Sequence, residues 1–149
     1  ELVASFDVKF DLNRYPYELS GGQQQTASIM RALAPNPEVL FLDEPFSALD
    51  FEMTLFIREK LQEVFMQTGT TMVLVSHDLE EAVYLADRVV IMTSRPGKIK
   101  EILDVKSVRE AEDWDRHSKI EDVMDLESFV HLRTRIWKSL REEHAGTDH

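Results

Sequence analysis

The middle of the chain shows two hydrophobic patterns that predict alternating strands and helices. Val39 to Leu42 is a continuous apolar run between a turn and two carboxylates, which predicts a strand buried on both faces of a parallel sheet. From Phe51 to Gln67 apolar side chains recur at helical spacing and Gly69 follows as a stop, so this segment is predicted to be a helix. A second strand is predicted for the sequence TTMVLVS, which His77 closes.

The next segment continues the alternation. Asp78 and Glu81 form a D-x-x-E pattern that resembles a capping box for a helix over Leu79 to Ala86, and Arg88 to Met92 is predicted as a third strand. Strand, helix, strand, helix, strand is the order of a parallel α/β sheet with right-handed crossovers. Polar groups at the carboxyl ends of the strands are therefore expected to converge on one edge of the sheet.

A hairpin is predicted beyond the third strand. Arg95, Pro96 and Gly97 read as a turn, and Ile99 to Leu103 as a final strand that pairs back. Lys98 belongs to this turn and is not the lysine of a phosphate-binding loop, because no glycine stands five residues before Gly97.

Both ends of the chain are predicted to be helical in part. The first 19 residues look like a short helical piece ending in a turn at Pro16, with apolar contacts from Leu2, Val3, Phe6 and Phe10. Lys106 to Glu121 is highly charged, which predicts a mobile or surface connection. An amphipathic helix is expected from 126 to 143, marked by Leu126, Phe129, Val130, Ile136, Trp137 and Leu140.

Composition excludes several classes of protein. A chain of 149 residues has the size of one domain, and its formal net charge of -11 argues against a general nucleic-acid surface. The absence of cysteine excludes disulfides, thiolate metal sites and thiol nucleophiles. No apolar run approaches the roughly 20 residues that cross a bilayer, and the first residues lack the features of a signal peptide, so a cytosolic chain is expected.

Two carboxylates follow the first predicted strand. Asp43 at the strand end can hold hydrated magnesium, and Glu44, which points the other way, can orient or deprotonate an attacking water. Phosphoryl transfer needs both of these roles. Taken alone, the pair is equally well explained as a solvated strand end.

A serine and two glycines precede the first long helix, QQQTASIMRAL, which Pro35 and Pro37 end. Ser20, Gly21 and Gly22 let backbone amides approach an anion at the positive end of this helix, and Gln23 can add a polar contact. A helix cap followed by a turn is the alternative explanation.

His77 stands after the second strand, where its imidazole can donate a hydrogen bond to an equatorial phosphate oxygen. A purely structural histidine remains the alternative. The other histidines show no metal-ligand spacing and are assigned no site: His117, His131, His144 and His149.

These segments together resemble a known family. YPYELSGGQQQ resembles the signature motif of ABC transporter ATP-binding subunits, VLFLDEP their Walker B strand with its catalytic glutamate, SALD their D-loop and VSHD their histidine switch. SHDLEEAVYLADRVVIMTSRPGKI further resembles the branch that imports nitrate, sulfonate and taurine. The resemblance covers about Tyr15 to Ile99 and is to the C-terminal part of such a subunit.

The resemblance implies a fold and a division of the chain. The fold is the C-terminal part of a P-loop NTPase, an α/β fold with a mostly parallel sheet, flanking helices and a C-terminal helical extension. Residues 1–35 are then expected to end a helical signature subdomain and residues 36–105 to form the second half of the ATPase core. An acidic linker and the terminal helix occupy residues 106–149.

The resemblance also implies roles for single residues, with ATP and Mg2+ as cofactors. The signature residues contact an ATP held by a partner subunit: Ser20, Gly21, Gly22 and Gln23. Asp43 serves the magnesium ion through water, Glu44 is the catalytic base and His77 contacts the γ-phosphate. The D-loop consists of Ser47, Ala48, Leu49 and Asp50, of which Asp50 crosses the dimer interface.

The expected assembly is a head-to-tail dimer of ATP-binding subunits on transmembrane permease subunits, at the inner face of the cell membrane. A solute-binding protein acts indirectly, and no nucleic acid is involved. The sequence contains no G-x-x-x-x-G-K-[ST] loop, so we expect a chain that corresponds to the second half of the subunit and does not hydrolyse ATP alone.

One residue departs from the family pattern, and two other functions stay open. Thr26 stands where the family usually has arginine, which puts a salt bridge or an interface contact there in doubt. A soluble ABC-type ATPase of DNA repair or translation is one alternative to the importer subunit. A non-enzymatic module that pairs with intact subunits is the other.

Overall fold

The computed structural model describes residues 6–145, with side chains as far as residue 142. The backbone divides after His77 into two compact units, here called the first unit, through His77, and the second unit, from Asp78 onward. Each is described by itself. The apolar contacts predicted for Leu2 and Val3 lie outside the described residues. The division of the chain into residues 1–35, 36–105 and 106–149 stays a prediction.

The described part of the first unit contains a 3-10 helix, two α-helices and two strands. A short 3-10 helix at Pro16–Glu18 leads into α1, Gly21–Leu33. Strand β1, Val39–Asp43, is followed by α2, Phe51–Thr68, and by β2, Thr71–Val75. The two strands pair in parallel, with Val39 opposite Thr71 and Asp43 opposite Val75. The expected parallel crossover between the first two strands is therefore confirmed.

Local signals in the sequence set the ends of the helices in this unit. The Ser20 hydroxyl accepts a hydrogen bond from the Gln23 amide at 3.2 Å, and the Gln23 side chain accepts one from the Ser20 amide at 3.0 Å. This reciprocal pair satisfies two amide groups that have no partner inside α1. Gly69 ends α2 with a φ of 67°, which only glycine adopts without strain.

The β1–β2 sheet is covered on one face by the described part of this unit. Leu40 and Leu42 are buried, whereas the alternate residues Val39 and Phe41 point outward and Phe41 is 75% exposed. The expectation of a strand buried on both faces is wrong for these residues. Successive side chains of a strand point to opposite faces, and the unit's own elements close over only one of them.

The described part of the second unit contains four α-helices, a 3-10 helix and a hairpin. Helix α3, Leu79–Leu85, precedes strands β3, Arg88–Met92, and β4, Ile99–Asp104. Helix α4, Val105–Ala111, follows β4 directly. A 3-10 helix at Trp114–Arg116 and the last two helices complete the unit: α5, Ile120–Met124, and α6, Glu127–Ala145. The expected terminal helix is confirmed.

Strand β3 pairs antiparallel with β4, as the predicted hairpin requires. In the described residues each sheet has two strands, so the expectation that β3 is a third parallel strand is wrong here. The turn explains the pairing, because the Thr93 amide donates to the Lys98 carbonyl at 2.8 Å and the chain returns at once beside β3.

The charged stretch from Lys106 to Glu121 is folded, which corrects the predicted mobile connection. Trp114 and Ile120 are almost fully buried within it. Arg109 is buried as well and donates hydrogen bonds to Asp87 Oδ1 and to the carbonyls of Tyr84 and Ala86. The composition is misleading because the charged Arg109 has hydrogen-bond partners inside the unit, and because the two largest apolar residues of the stretch, Trp114 and Ile120, are buried.

Trp114 belongs to an apolar core in the second unit. This core joins α3, the hairpin, the 3-10 helix and the last helices: Val83, Val89, Ile91, Leu103, Val105, Trp114, Val123, Phe129, Leu132 and Ile136.

Across residues 6–145, no helix has the length and apolar character that a membrane crossing needs.

Candidate functional site

Glu44 follows β1 directly and takes an unusual backbone conformation. Its φ is 47°, in the left-handed region that a non-glycine residue adopts at a cost of about 1–3 kcal/mol. The Glu44 amide donates to the Val75 carbonyl of β2 at 2.8 Å. The parallel pairing of the strands therefore holds this residue at the carboxyl end of the sheet.

His77 contacts the Glu44 carboxylate with both its backbone and its ring. Its amide donates to Oε1 of Glu44 at 3.0 Å, and Nδ1 lies 2.8 Å from the same oxygen. A carboxylate oxygen only accepts, so Nδ1 carries the hydrogen in this contact. The His77 side chain is 86% exposed. The structure thus brings together two residues that the sequence places 33 positions apart.

Asp43 ends β1 with its side chain exposed, opposite Val75. The described residues include no group of three or more histidine, aspartate or glutamate side chains that could hold a metal ion. A single exposed carboxylate such as that of Asp43 is compatible with Mg2+, which usually keeps several waters and takes one or two protein carboxylates together with phosphate oxygens. The role of Asp43 at the ion stays a prediction.

The residues from Ser20 to Gln23 form the first turn of α1, a helix of 13 residues. A side chain at Gly22 would place its Cβ 3.3 Å from the Ala48 carbonyl and 3.4 Å from Leu49 Cδ2. Gly22 is therefore needed for close packing against the loop after Glu44, a reason that sequence reasoning did not supply. The amides of this turn are what the predicted anion contact requires.

The loop from Ser47 to Asp50 joins β1 to α2. Asp50 caps α2 through a hydrogen bond from the Met53 amide to Oδ1 at 2.9 Å. Ala48 and Leu49 pack on the glycines of α1. The predicted D-loop is thus held between two helices, and its role at a dimer interface stays a prediction.

Sequence reasoning missed Gln25, whose side-chain amide connects α1 to this loop. Its Oε1 accepts from the Ala48 amide at 2.7 Å, and its Nε2 donates to the Glu44 carbonyl at 3.2 Å. A usable signal was present, since Gln25 lies three and four positions after Gly22 and Gly21 and so shares their helix face.

Thr26 occupies the position where the family usually has arginine. It is buried, and its hydroxyl donates to the Gly22 carbonyl one turn earlier at 3.0 Å. The Thr26 hydroxyl thus has its hydrogen-bond partner within α1.

Known proteins resemble this chain in sequence and in fold. A family model described as ABC transporter matches residues 2–47. An uncharacterized ABC transporter ATP-binding protein of Methanocaldococcus jannaschii is 40% identical over 129 residues, which cover 87% of this chain and 44% of that protein. The aliphatic sulfonates import ATP-binding protein SsuB of Bacillus anthracis is 47% identical over 132 residues, covering 89% of this chain and 47% of the relative.

The fold has solved counterparts. A dimeric ATP-binding cassette in a post-hydrolysis state, bound to ADP and Pi, matches with a TM-score of 0.62 and 30% identity. The match covers 70% of this chain and 44% of the cassette. The chain belongs to the ABC transporter ATP-binding family. Its α/β fold is that of the family's P-loop ATPase cassettes.

This ABC transporter chain spans about half the length of the curated relatives it matches. The matched part includes the signature turn, Asp43 and Glu44, because the family model reaches residue 47. The chain is therefore a member of the family. Because it covers about half of a whole subunit, the activity, substrate and partners of that subunit are proposals.

Proposed function

We propose that this chain supplies the signature and Walker B parts of an ATP-hydrolysing subunit of an importer. The observation that carries the proposal is the Glu44 carboxylate, held at the end of β1 by two contacts from His77 and placed directly after Asp43. Water activation needs a positioned carboxylate beside a magnesium ligand, and this pair provides both.

The chemistry of the proposed site is divided between the two oxygens of Glu44. Both His77 contacts use Oε1, so Oε2 is the oxygen that orients the attacking water and takes its proton. His77 presents Nε2 toward the γ-phosphate. Asp43 holds Mg2+ through water, and the ion when bound neutralises charge on the phosphates.

The first turn of α1 acts on a second nucleotide in this proposal. Ser20, Gly21 and Gly22 offer backbone amides at the positive end of the helix, and Gln23 adds a polar contact. That ATP is held by a partner subunit in a head-to-tail dimer. Support comes from the dimeric cassettes among the solved structures and from the outward face of the 47–50 loop.

The transport role is proposed from the relatives. Several relatives are named aliphatic sulfonates import ATP-binding proteins, which favours uptake of a solute of the nitrate, sulfonate or taurine type. The subunit would act on transmembrane permease subunits at the cytoplasmic face, with a solute-binding protein as an indirect partner. The net charge of -11 supports a role without nucleic acid.

The 149-residue sequence contains no G-x-x-x-x-G-K-[ST] loop. We therefore propose that another segment holds the ATP on which Glu44 acts, and that these 149 residues alone do not hydrolyse ATP. The test is a completed subunit, here defined as the chain joined to the part of the Bacillus anthracis relative that lies outside the 132 matched residues.

The completed subunit should hydrolyse ATP in the presence of Mg2+, while the 149-residue chain shows no turnover above that of a Glu44→Gln control. A completed subunit that binds ATP and forms a dimer without turnover would contradict the enzymatic proposal. Turnover by the 149-residue chain would contradict the proposed need for another segment.

A second candidate is a non-enzymatic module that pairs with intact subunits. The exposed apolar face of the β1–β2 sheet favours it, because parallel sheets are normally covered on both faces. Pairing with an intact subunit, together with an inactive completed subunit, would select this candidate.

A further inference from the structure

Gln25 connects α1 to the loop after Glu44 through side-chain hydrogen bonds. The side-chain hydrogen bonds of Ser20 stay within the first turn of α1, while those of Glu44 go to His77. Gln25 belongs to α1 and reaches across to the Glu44 carbonyl, to the Ser47 hydroxyl at 3.3 Å and to the Ala48 amide.

The orientation of the Gln25 amide follows from its partners. The Ala48 N–H can only donate, so it must face the side-chain oxygen, and the Glu44 carbonyl can only accept, so it must face the side-chain nitrogen. A single side chain therefore satisfies a donor and an acceptor four residues apart in the same turn.

The Glu44 peptide is held from several sides. Its amide donates to the Val75 carbonyl, and its carbonyl accepts from Gln25 and from the Ser47 amide at 3.3 Å. Since the left-handed conformation of Glu44 is costly, it persists only where the surroundings fix it. Gln25 is the contact among these that comes from α1.

Gly22, one helical turn before Gln25, also packs closely against the loop after Glu44. Gly22 lies against the Ala48 carbonyl and Leu49, and a Cβ at this position would be 3.3 Å and 3.4 Å from them, so a side chain would require these neighbours to shift by a few tenths of an ångström. The first turn of α1 and the 47–49 loop are therefore in direct contact beside the Gln25 hydrogen bonds.

We propose that Gln25 is a positioning residue that carries the state of the signature turn to the main chain of Glu44. The inference rests on the proposed function and adds a regulation to it. ATP held by the partner contacts the turn at Ser20, and through Gln25 that contact sets the direction in which this chain's own Glu44 presents its carboxylate. One subunit thus links the two ATP sites of a dimer.

The experiment perturbs the signature turn and records its effect on Glu44 by NMR of the 149-residue chain. Ser20→Ala removes the cap of α1 and should shift the backbone amide signals of Glu44 and His77. The shifts should vanish when Ser20→Ala is introduced into Gln25→Met, which keeps the length of the side chain and removes its hydrogen bonds.

Gln24→Met is the matched control. Gln24 neighbours Gln25, but its amide donates to the carbonyls of Pro16 and Leu19, which precede α1. Shifts that persist in Gln25→Met, or that are absent from the parent chain, would overturn the inference. An amide spectrum with native dispersion for α1 and α2 shows that each variant is folded.

Gln25→Glu separates the two ends of the contact. It keeps the acceptor for the Ala48 amide and loses the donor to the Glu44 carbonyl, so it should behave like Gln25→Met. Coupling that survives in Gln25→Glu would mean that the Ala48 contact carries it, and the role assigned to the Glu44 carbonyl would be wrong.

Kinetics of the completed subunit keep this inference apart from the proposed function. Gln25→Met should lower kcat about tenfold with KM for ATP unchanged, because the effect is on the base and not on nucleotide binding. Unchanged kcat in an active completed subunit overturns the inference alone. Absence of turnover in the unsubstituted completed subunit overturns the proposed function.

Discussion

The two units of the chain use their polar side chains differently. In the first unit, Glu44 and Gln25 form hydrogen bonds with residues that are distant in sequence, and these hydrogen bonds hold the turn after β1. In the second unit, Arg109 donates hydrogen bonds to Asp87 and Ala86, and the Trp114 indole donates one to Ser128. These hydrogen bonds hold helices and loops onto an apolar core. The difference teaches that polar substitutions should affect chemistry in the first unit and stability in the second.

Glu44→Gln in the completed subunit has the largest expected effect. Turnover should fall by about two to four orders of magnitude, because an amide cannot take the proton of the attacking water. ATP-dependent dimers should persist, and steady-state hydrolysis with sedimentation measures both. Glu110→Gln, on the surface of the second unit, is the control and should retain turnover. Near-normal turnover of Glu44→Gln would remove Glu44 from the base role.

Ser20→Arg in the completed subunit is expected to prevent ATP-dependent dimerisation. The long charged side chain fills the space at the start of α1 where the partner's phosphate is proposed to lie. Binding of a fluorescent ATP analogue by the completed subunit should remain, because that nucleotide is held elsewhere. A nucleotide-dependent dimer of this variant in sedimentation would refute the proposed contact in trans.

Trp114→Ala tests the second half of the comparison. Trp114 is 2% exposed, lies 5.5 Å from Phe129 between ring centres, and donates to the Ser128 hydroxyl at 3.0 Å. Its removal should lower the free energy of unfolding by about 3–5 kcal/mol. Urea unfolding followed by circular dichroism measures the loss.

Trp137→Ala is the matched control for Trp114→Ala, because Trp137 is about half exposed on α6. It should change stability by less than about 1 kcal/mol. Equal losses from the two substitutions would show that the core of the second unit does not depend on Trp114.

Asp104 gives the smallest expected effect, a dependence of stability on pH. Hydrogen bonds from the Ser107 hydroxyl and then the Ser107 amide lower the pKa of the Asp104 carboxyl below its usual 3.8. A lowered pKa in the folded state means that the contribution is complete above about the usual value and is lost as the pH falls through the folded value.

Asp104→Asn keeps an oxygen to cap α4 and removes this titration. The urea midpoint should therefore fall less steeply below about pH 4 in the variant than in the parent chain. Identical curves for the two proteins would show that the Asp104 cap adds nothing to the pH dependence.

Local patterns predicted the parts of the fold that local chemistry controls. Ser20 as a helix cap, Gly69 as a helix stop and the turn at Gly97 are all where the sequence places them. The sequence motifs likewise predicted the ABC transporter ATP-binding family, and the comparisons with known proteins confirm this family. These features depend on residues that are close in sequence.

Features that depend on distant residues were not predictable in the same way. The apolar run at Val39 to Leu42 does not say which faces are covered, and the charges around Arg109 hide its internal partners. The contact between Glu44 and His77 follows from strand pairing, and that of Gln25 with Ala48 follows from helix packing. The sequence predicted that Glu44 and His77 lie at the same edge of the sheet, but not their direct contact. The helix face that Gln25 occupies does not by itself identify Ala48 as its partner.

The most direct measurement is a crystal structure of the Glu44→Gln completed subunit with ATP and Mg2+. The account predicts that Ser20 Oγ and the amides of Gly21 and Gly22 lie about 3 Å from γ-phosphate oxygens held by the other subunit. It also predicts that the side chain at position 44 faces a water in line with the same type of phosphate. A γ-phosphate with no contact to the Ser20 turn of either subunit would contradict the central claim.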